Sequence, residues 1–323
     1  MEQEIKAVVL AAGKSKRMRS ASSKVVHRIL GKEIINYLLD SIVMAGIKEE
    51  NIIVVLGENP EEVRSTIKRP VRYASQAEQL GTAHALLSAG QALGDFMGQL
   101  LVTVGDNPYI TAGELTRLIG HHRRTQAACT FIAALFPSTP PPYGRIIRDA
   151  QGRVSDVVEE IDAGPEQLAI REVNASIYMF HAPTVLPLLP LIDNGNEKGE
   201  YYLTDIIKLL HGRGQVIESV TAADHIISIG INTRWELGQA QERFNRENLR
   251  RLAEEDGVTI LQPGSVTVEW DVQIGPDTVI FPSVYLAAGT RIGKNCRIGP
   301  FVYLKNVVIP DDQEIAFEKR SGS

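Results

Sequence analysis

Short, unbroken apolar runs alternate with stretches of helical period through the first part of the chain. Ala7-Val8-Val9-Leu10, Ile52-Ile53-Val54-Val55-Leu56 and Leu100 to Val104 are bounded by polar or glycine-bearing segments, which predicts buried strands. Between them, Glu33 to Gly46 carries Ile34, Ile35, Leu38, Leu39, Ile42 and Val43 on one broad face, and Gly81 to Leu93 also reads as a helix. Strands without polar alternation need cover on both faces. The pattern from Ile5 to about Ile231 therefore predicts an α/β domain built on a mostly parallel sheet. In such sheets ligands gather at the carboxyl ends of the strands.

The pattern then changes twice. Thr233 to Asp256 is a charged helical stretch with sparse apolar points at Trp235, Phe244, Leu249 and Leu252, ending at Gly257. Beyond it, Val268, Ile274, Ile280, Leu286, Ile292, Ile298 and Leu304 recur every six residues. Four positions after each come Val272, Thr278, Val284, Thr290, Cys296, Val302 and Val308, and Gly275, Gly293 and Gly299 directly follow three of the aliphatics. A six-residue period of this kind predicts a parallel β-helix, each coil made of three hexapeptides. These repeats amount to a little over two coils. A stack that short leaves open ends, which favours burial against other subunits. The expected organisation is an α/β domain over 1–232, a linker helix over 233–257 and a short β-helix over 258–323.

Composition narrows the class of protein. The 323 residues are 44% hydrophobic and 23% charged, enough apolar material for large cores. The formal net charge of -5 offers no basic surplus for a nucleic-acid backbone. Two distant cysteines, Cys129 and Cys296, suit a reducing compartment better than a disulfide framework. No stretch approaches the ~18 apolar residues of a membrane span, and the N-terminal apolar run reads as a first strand, not a signal peptide. The expected setting is the cytoplasm, with neither membrane nor nucleic acid as partner.

Candidate chemistry clusters at the ends of the predicted strands. Leu10-Ala11-Ala12-Gly13-Lys14-Ser15-Lys16-Arg17-Met18 forms a glycine loop after the first strand, followed by Ser22-Ser23-Lys24. Such a loop lets backbone amides approach phosphate oxygens, Arg17 offers a forked donor, and Lys24 a point charge. It is neither a Walker loop nor a G-x-G-x-x-G turn, and by itself it also fits a tight turn with a solvated basic cluster. Gln76-Ala77-Glu78-Gln79-Leu80-Gly81-Thr82 is a polar loop leading into a helix. Glutamine and backbone amides there can offer both the acceptor and the donor that a uracil edge requires. Val104-Gly105-Asp106-Asn107-Pro108 puts a carboxylate at the end of a buried strand, suited to a hard cation or to a plain Asp-Asn-Pro turn. Asn232, in Gly230-Ile231-Asn232-Thr233, fits a second oxygen ligand or the N-cap of the following helix. Zinc-type His/Cys spacings and Gly-x-Ser-x-Gly are absent from the sequence.

Taken together these segments resemble the N-acetylglucosamine-1-phosphate uridyltransferase family, whose usual first motif reads L-A-A-G-K-G-T-R-M followed by P-K. The resemblance covers Gln76 to Thr82 (Q-A-E-Q-L-G-T), Tyr143-Gly144-Arg145-Ile146 and Gly199-Glu200-Tyr201-Tyr202-Leu203-Thr204-Asp205. The chain departs from it at Ser15, Lys16 and Ser23, and has Asn174-Ala175-Ser176 where the family has N-T-G. The resemblance implies a Rossmann-like nucleotidyltransferase domain followed by a left-handed β-helix. It also implies Mg²⁺ on Asp106 and Asn232, nucleotide contacts from Leu10, Ala11, Ala12, Gly13, Gln76, Gln79, Gly81 and Thr82, and catalytic roles for Arg17 and Lys24. Gly144, Glu159, Asn174, Tyr202 and Thr204 would contact the sugar. The implied substrates are UTP and N-acetylglucosamine-1-phosphate, and the implied assembly is a homotrimer. The full-length family enzyme also transfers an acetyl group on later coils, and no such activity is expected of this chain. Two alternatives remain at this stage: the same chemistry on glucose-1-phosphate or dTTP, or a nucleotide-sugar-binding protein without turnover.

Overall fold

A computed structural model describes residues 3–322, which divide into two compact units. The first comprises the chain up to His27 and Ile34–Asn232; the second comprises Arg28–Glu33 and the chain from Thr233 onward.

The first unit is built on a nine-stranded sheet. Its strands and principal helices are β1 (Ile5–Ala11), α1 (Ile34–Met44), β2 (Ile52–Leu56), β3 (Arg72–Ser75), α2 (Thr82–Ser88), β4 (Gln99–Val104), α3 (Ala112–Thr125), β5 (Cys129–Leu135), β6 (Arg145–Arg148), β7 (Val154–Val158), β8 (Glu172–His181), α4 (Asp205–His211) and β9 (Ile217–Thr221). The strand order is β9-β5-β8-β4-β1-β2-β3, with β6 and β7 added beside β8. β3, β2, β1 and β4 run parallel, as do β9 and β5, while β8 is antiparallel to both its main neighbours. Successive side chains of a strand point to opposite faces. Val8, Ile53, Leu100 and Val102 accordingly pack in one core, and Ala7, Val9, Ile52, Val54 and Leu101 in the other. The expected helix over Gly81 to Leu93 is broken: α2 ends at Ser88 and a separate turn spans Gly90–Leu93.

One polar group lies deep in this unit. His122 on α3 is 1% exposed and bonds Thr130 Oγ1 at 2.8 Å and Gln99 Oε1 at 2.7 Å. Burial, with lesser contributions from His181 and His121, lowers its pKa to about 4. The folded state keeps this imidazole neutral where the unfolded chain, near 6.5, takes up a proton. Its contribution is therefore complete above about pH 6.5 and is lost as pH falls towards 4. We expect the unfolding free energy at pH 5 to be about 2 kcal/mol lower than at pH 7.5 on account of this group. Denaturant titrations of wild type and His122→Gln should show a flatter pH dependence for the variant; parallel curves would contradict the assignment.

The second unit begins with α5 (Arg234–Glu254), started by a capping box in which the Thr233 hydroxyl accepts from the Glu236 N–H and the Glu236 carboxylate accepts from the Thr233 N–H. Thr233 is thus the N-cap, and the alternative of Asn232 as cap is set aside. Leu249 and Leu252 join the β-helix core, whereas Trp235 is 76% exposed. Asn245 and Asn248 bond the backbone at Val266 and Val268, and the Arg28–Glu33 hairpin is held by Leu30 N–H on Gln241 and Trp270 N–H on Leu30 O.

The β-helix comprises three parallel sheets of four, four and three short strands, from Thr259–Ile260 to Glu318–Ser321. That is three coils and two strands of a fourth, more than the sequence period suggested. Stacked partners lie 18 residues apart while the hexapeptides last, as in Val266↔Val284 and Val284↔Val302. The spacing falls to 17 at Arg291↔Val308 and to 16 at Val302↔Glu318. In consequence Val308, in series with the buried Val272, Thr278, Val284, Thr290, Cys296 and Val302, is 72% exposed, and Ile309 is buried in its place.

Candidate functional site

The carboxyl ends of β1, β3 and β4 meet at a cavity of about 400 Å³. Close backbone approaches build its floor. Gly105 N–H bonds Leu10 O at 2.9 Å, tying the turn after β4 to the end of β1, and Gln76 N–H bonds Leu56 O at 2.8 Å. Gly81, at φ 119°, lies so near Tyr201 that a Cβ there would be 2.4 Å from Tyr201 O.

The cavity is lined by Leu10, Ala11, Ala12, Gly13, Arg17, Lys24, Gln76, Gln79, Gly81, Thr82, Asp106 and Asn232. The nucleotide, catalytic and metal candidates drawn from the sequence thus share one wall, although they come from segments as distant as Leu10 and Asn232. A second cavity of about 210 Å³ shares Leu10, Thr82, Val104 and Glu200 with the first and is lined by the sugar candidates Glu159, Tyr202 and Thr204. Gly144 and Asn174 line neither. Gly144 O accepts from the Asn174 N–H at 2.9 Å, and a Cβ on Gly144 would come within 3.4 Å of Glu159 Oε1. Asn174 donates to Tyr178 Oη at 2.5 Å, at the point where the register of β8 shifts. Both residues therefore stand behind the second cavity and support Glu159 and Tyr178.

Ser176, Tyr178, Lys198 and Glu200 line the cavities without having stood out in the sequence. Glu200 could have been found, because it belongs to the Gly199–Asp205 motif. Ser176 faces the cavity through a local conformation at φ 57° that no period announces. Burial raises the pKa of Glu159 against the opposing hydrogen bond from the Thr204 hydroxyl, and burial raises that of Tyr202 well above the usual phenol range. The second cavity thus offers a sheltered carboxylate, hydroxyls and one cationic tip, Lys198, a donor and acceptor set suited to a sugar.

In the wall of the first cavity, Lys24 Nζ donates to Asp106 Oδ2 and, at 2.8 Å, to Asn232 Oδ1. Asp106 is 8% exposed, and its Oδ1 is buried without a hydrogen-bond partner. Gly230 permits this: a Cβ on it would be 3.0 Å from that oxygen. A buried carboxylate oxygen left without a donor is costly unless something positive completes it. Asp106 and Asn232 together form an oxygen-only donor pair already gathered around an ammonium group. Among the described residues no cluster of three His, Cys, Asp or Glu side chains forms a closed metal cage.

Two of the three departures from the motif, Ser15 and Ser23, have local explanations. Ser15 takes the left-handed conformation, φ 52°, where a glycine is expected, and its Oγ accepts from the Lys24 N–H at 2.8 Å. The Ser23 N–H, which a proline would lack, donates to Glu62 at 2.9 Å.

Comparison with known proteins agrees with both units. The nucleotidyl transferase family matches residues 6–242, and the bacterial transferase hexapeptide (six repeats) family matches residues 271–306. The bifunctional protein GlmU of Pelotomaculum thermopropionicum is 42% identical over 97% of this chain and 79% of its own length. The proteins of the same name from Geobacillus sp. and Exiguobacterium sp. are 39% and 38% identical, over 93% and 98% of this chain and 64% and 70% of theirs.

Proposed function

Because the chain belongs to the nucleotidyl transferase family, among relatives named bifunctional protein GlmU, we propose that it joins UTP and N-acetylglucosamine-1-phosphate to give UDP-N-acetylglucosamine and pyrophosphate. It is a nucleotidyltransferase. The observation that carries the finer reading is the single wall shared by the loop after β1, Gln76, Gly81, Asp106 and Asn232, with a polar cavity opening from it.

The chemistry asks for little covalent work. A sugar phosphate is anionic at neutral pH. One of its oxygens attacks the α-phosphorus of UTP, a new P–O bond forms, the α–β bridging bond breaks, and the electron pair leaves with pyrophosphate. No side chain has to remove a proton. The enzyme's share is alignment, which can lower a barrier by ~7–11 kcal/mol, and compensation of developing charge. In this reading the backbone from Leu10 to Gly13 cradles the phosphates, Arg17 and Lys24 neutralise them, and Gln76, Gln79, Gly81 and Thr82 hold the base. Glu159, Tyr202 and Thr204 meet the sugar, with Gly144 and Asn174 acting through Glu159 and Tyr178.

Asp106 and Asn232 would hold a magnesium ion, which the unpartnered Asp106 Oδ1 and the oxygen-only donor set suit. When bound there, the ion would supply charge neutralisation to the phosphates of both substrates. With those two oxygens on the ion, the Lys24 ammonium would serve the phosphates. Both cysteines are free and buried, as suits a reducing setting such as the cytoplasm, and no helix among the described residues is long and apolar enough to cross a membrane.

The test is pyrophosphate release from a panel of UTP, dTTP and CTP with N-acetylglucosamine-1-phosphate and glucose-1-phosphate, with and without Mg²⁺. Highest kcat/KM for UTP with N-acetylglucosamine-1-phosphate, dependent on the metal, is expected. Preference for another pair would reassign the substrate, and binding without turnover would make it a binding protein.

The assembly reading is a homotrimer through the β-helix. One β-helix face stacks Tyr285 on Tyr303 and carries Phe301 against Phe317, 63% and 73% exposed, around a groove of about 610 Å³. Exposed aromatic pairs of this size ordinarily mark an interface. Light scattering should give three times the 35.5 kDa of one chain, and Phe301→Glu with Phe317→Glu should lower it. A monomeric wild type would remove this reading.

A further inference from the structure

We propose that His84 is a positioning residue that fixes the side-chain amide of Gln76 in the orientation that selects uracil over cytosine; this rests on the uridylyl-transfer reading above.

Gln76 is 3% exposed and lines the 400 Å³ cavity. Its Nε2 lies 3.1 Å from Gly81 O and 3.0 Å from His84 Nδ1. The carbonyl decides which end of the amide is which. An amide oxygen at 3.1 Å from a carbonyl oxygen would be repelled, so the NH₂ end faces Gly81. One of its two hydrogens goes to that carbonyl, and the other requires an acceptor. His84 Nδ1 provides it, which places the imidazole proton on Nε2. Both Nε2 hydrogens are then committed, and Gln76 Oε1, with no hydrogen bond to protein among the described residues, is the only atom of the amide left for a ligand. The Gly81 N–H, in the same wall, has no acceptor among the described residues either.

The wall therefore offers one acceptor and one donor. Uracil presents an N3–H donor next to an O4 acceptor and complements it. Cytosine presents an N3 acceptor next to an N4 amino donor and opposes it at both positions. A site whose polar groups are fully committed rejects the mismatched base because those groups would be left unpaired. Without His84, one Nε2 hydrogen loses its acceptor, the amide is held by the Gly81 carbonyl alone, and its oxygen is less firmly fixed towards the base.

The variants are His84→Leu, which removes the acceptor, and His84→Asn, whose Oδ1 stands close to the place of Nδ1. The readout is the UTP:CTP ratio of kcat/KM in pyrophosphate release, with the two nucleotides' dissociation constants measured by calorimetry. His84→Leu should lower the ratio about tenfold, equivalent to about 1.4 kcal/mol, mainly by weakening UTP binding, and His84→Asn should restore it to within about twofold of wild type. An unchanged ratio in folded His84→Leu overturns the proposal. So does a ratio lost in folded His84→Asn, and this arm decides alone if the leucine variant does not fold. A wild type that does not prefer UTP brings down the uridylyl reading and this proposal with it. A wild type that prefers UTP confines any failure to His84.

Discussion

Asp106→Ala is expected to fold normally and to lose turnover by about a hundred- to a thousandfold, the scale on which removal of one charge-stabilising group acts in a closed site. Three features converge on this side chain. It stands at the carboxyl end of β4, its Oδ2 holds Lys24, and its Oδ1 is buried without a partner. The unpartnered Oδ1 does not stabilise the fold, and only the ion pair of Oδ2 with Lys24 is given up, so the melting temperature should fall by no more than a few degrees. Its backbone carbonyl, which accepts from the Ile231 N–H, is untouched by the substitution. Excess Mg²⁺ should not rescue the rate. Steady-state kinetics with a thermal melt on the same preparation check both halves. Near-wild-type turnover would remove Asp106 from the mechanism, and a collapsed melt would make it structural.

Gly81→Ala is expected to abolish nucleotide binding and to destabilise the first unit by about 3 kcal/mol or more, from backbone strain added to a steric clash. The residue sits at φ 119°, and an added Cβ would lie 2.4 Å from Tyr201 O and 2.6 Å from Tyr201 N. That backbone cannot retreat cheaply. Tyr201 N–H is bonded to Leu80 O, and Tyr201 O accepts from the Ala83 N–H, both at 2.8–2.9 Å. Separating them would pull the Gly199–Asp205 segment away from α2 and displace Thr204 from Glu159 with it. UTP titration by calorimetry and a denaturant titration should show both losses; a variant that binds UTP normally would mean that the segment yields more easily than its hydrogen bonds suggest.

The parts of this fold that depend on period were legible in the sequence. The strand over Ile52 to Leu56 matches β2, and the inward aliphatics from Val268 to Leu304 are all buried. What depends on a local break in period was not. Val308 fits the six-residue rule and fails because the turn after Leu304 is one residue shorter, a change visible only through strand pairing. The opening strand at Thr259 and the closing strands beyond Ile309 fall outside the strict repeat, which is why the coils were undercounted. The Arg28–Glu33 hairpin carries no periodic signal and joins the second unit through contacts far away in sequence, with Gln241 and Trp270.

The site was legible to the extent that motifs sit at strand ends. Twelve candidates separated by as much as the distance from Leu10 to Asn232 line one cavity because parallel strands bring their carboxyl ends together. Gly144 and Asn174 show the limit of that reasoning. Their residue types suit sugar hydroxyls, yet neither lines the cavity: Gly144 pairs its backbone with Asn174, and the Asn174 amide is committed to Tyr178, which does line it. Asn232 shows the opposite case. Its identity fits a helix cap equally well, and only the capping box at Thr233 reveals that its side chain is released to the site.

The most direct test is a crystal structure of the protein soaked with UTP and Mg²⁺. The uracil edge should lie against Gln76 Oε1 and the Gly81 N–H, the triphosphate over the loop from Leu10 to Arg17, and the cation on Asp106 Oδ1 and Asn232. A nucleotide bound away from that wall, or a cation held by neither of those two side chains, would contradict the assignment.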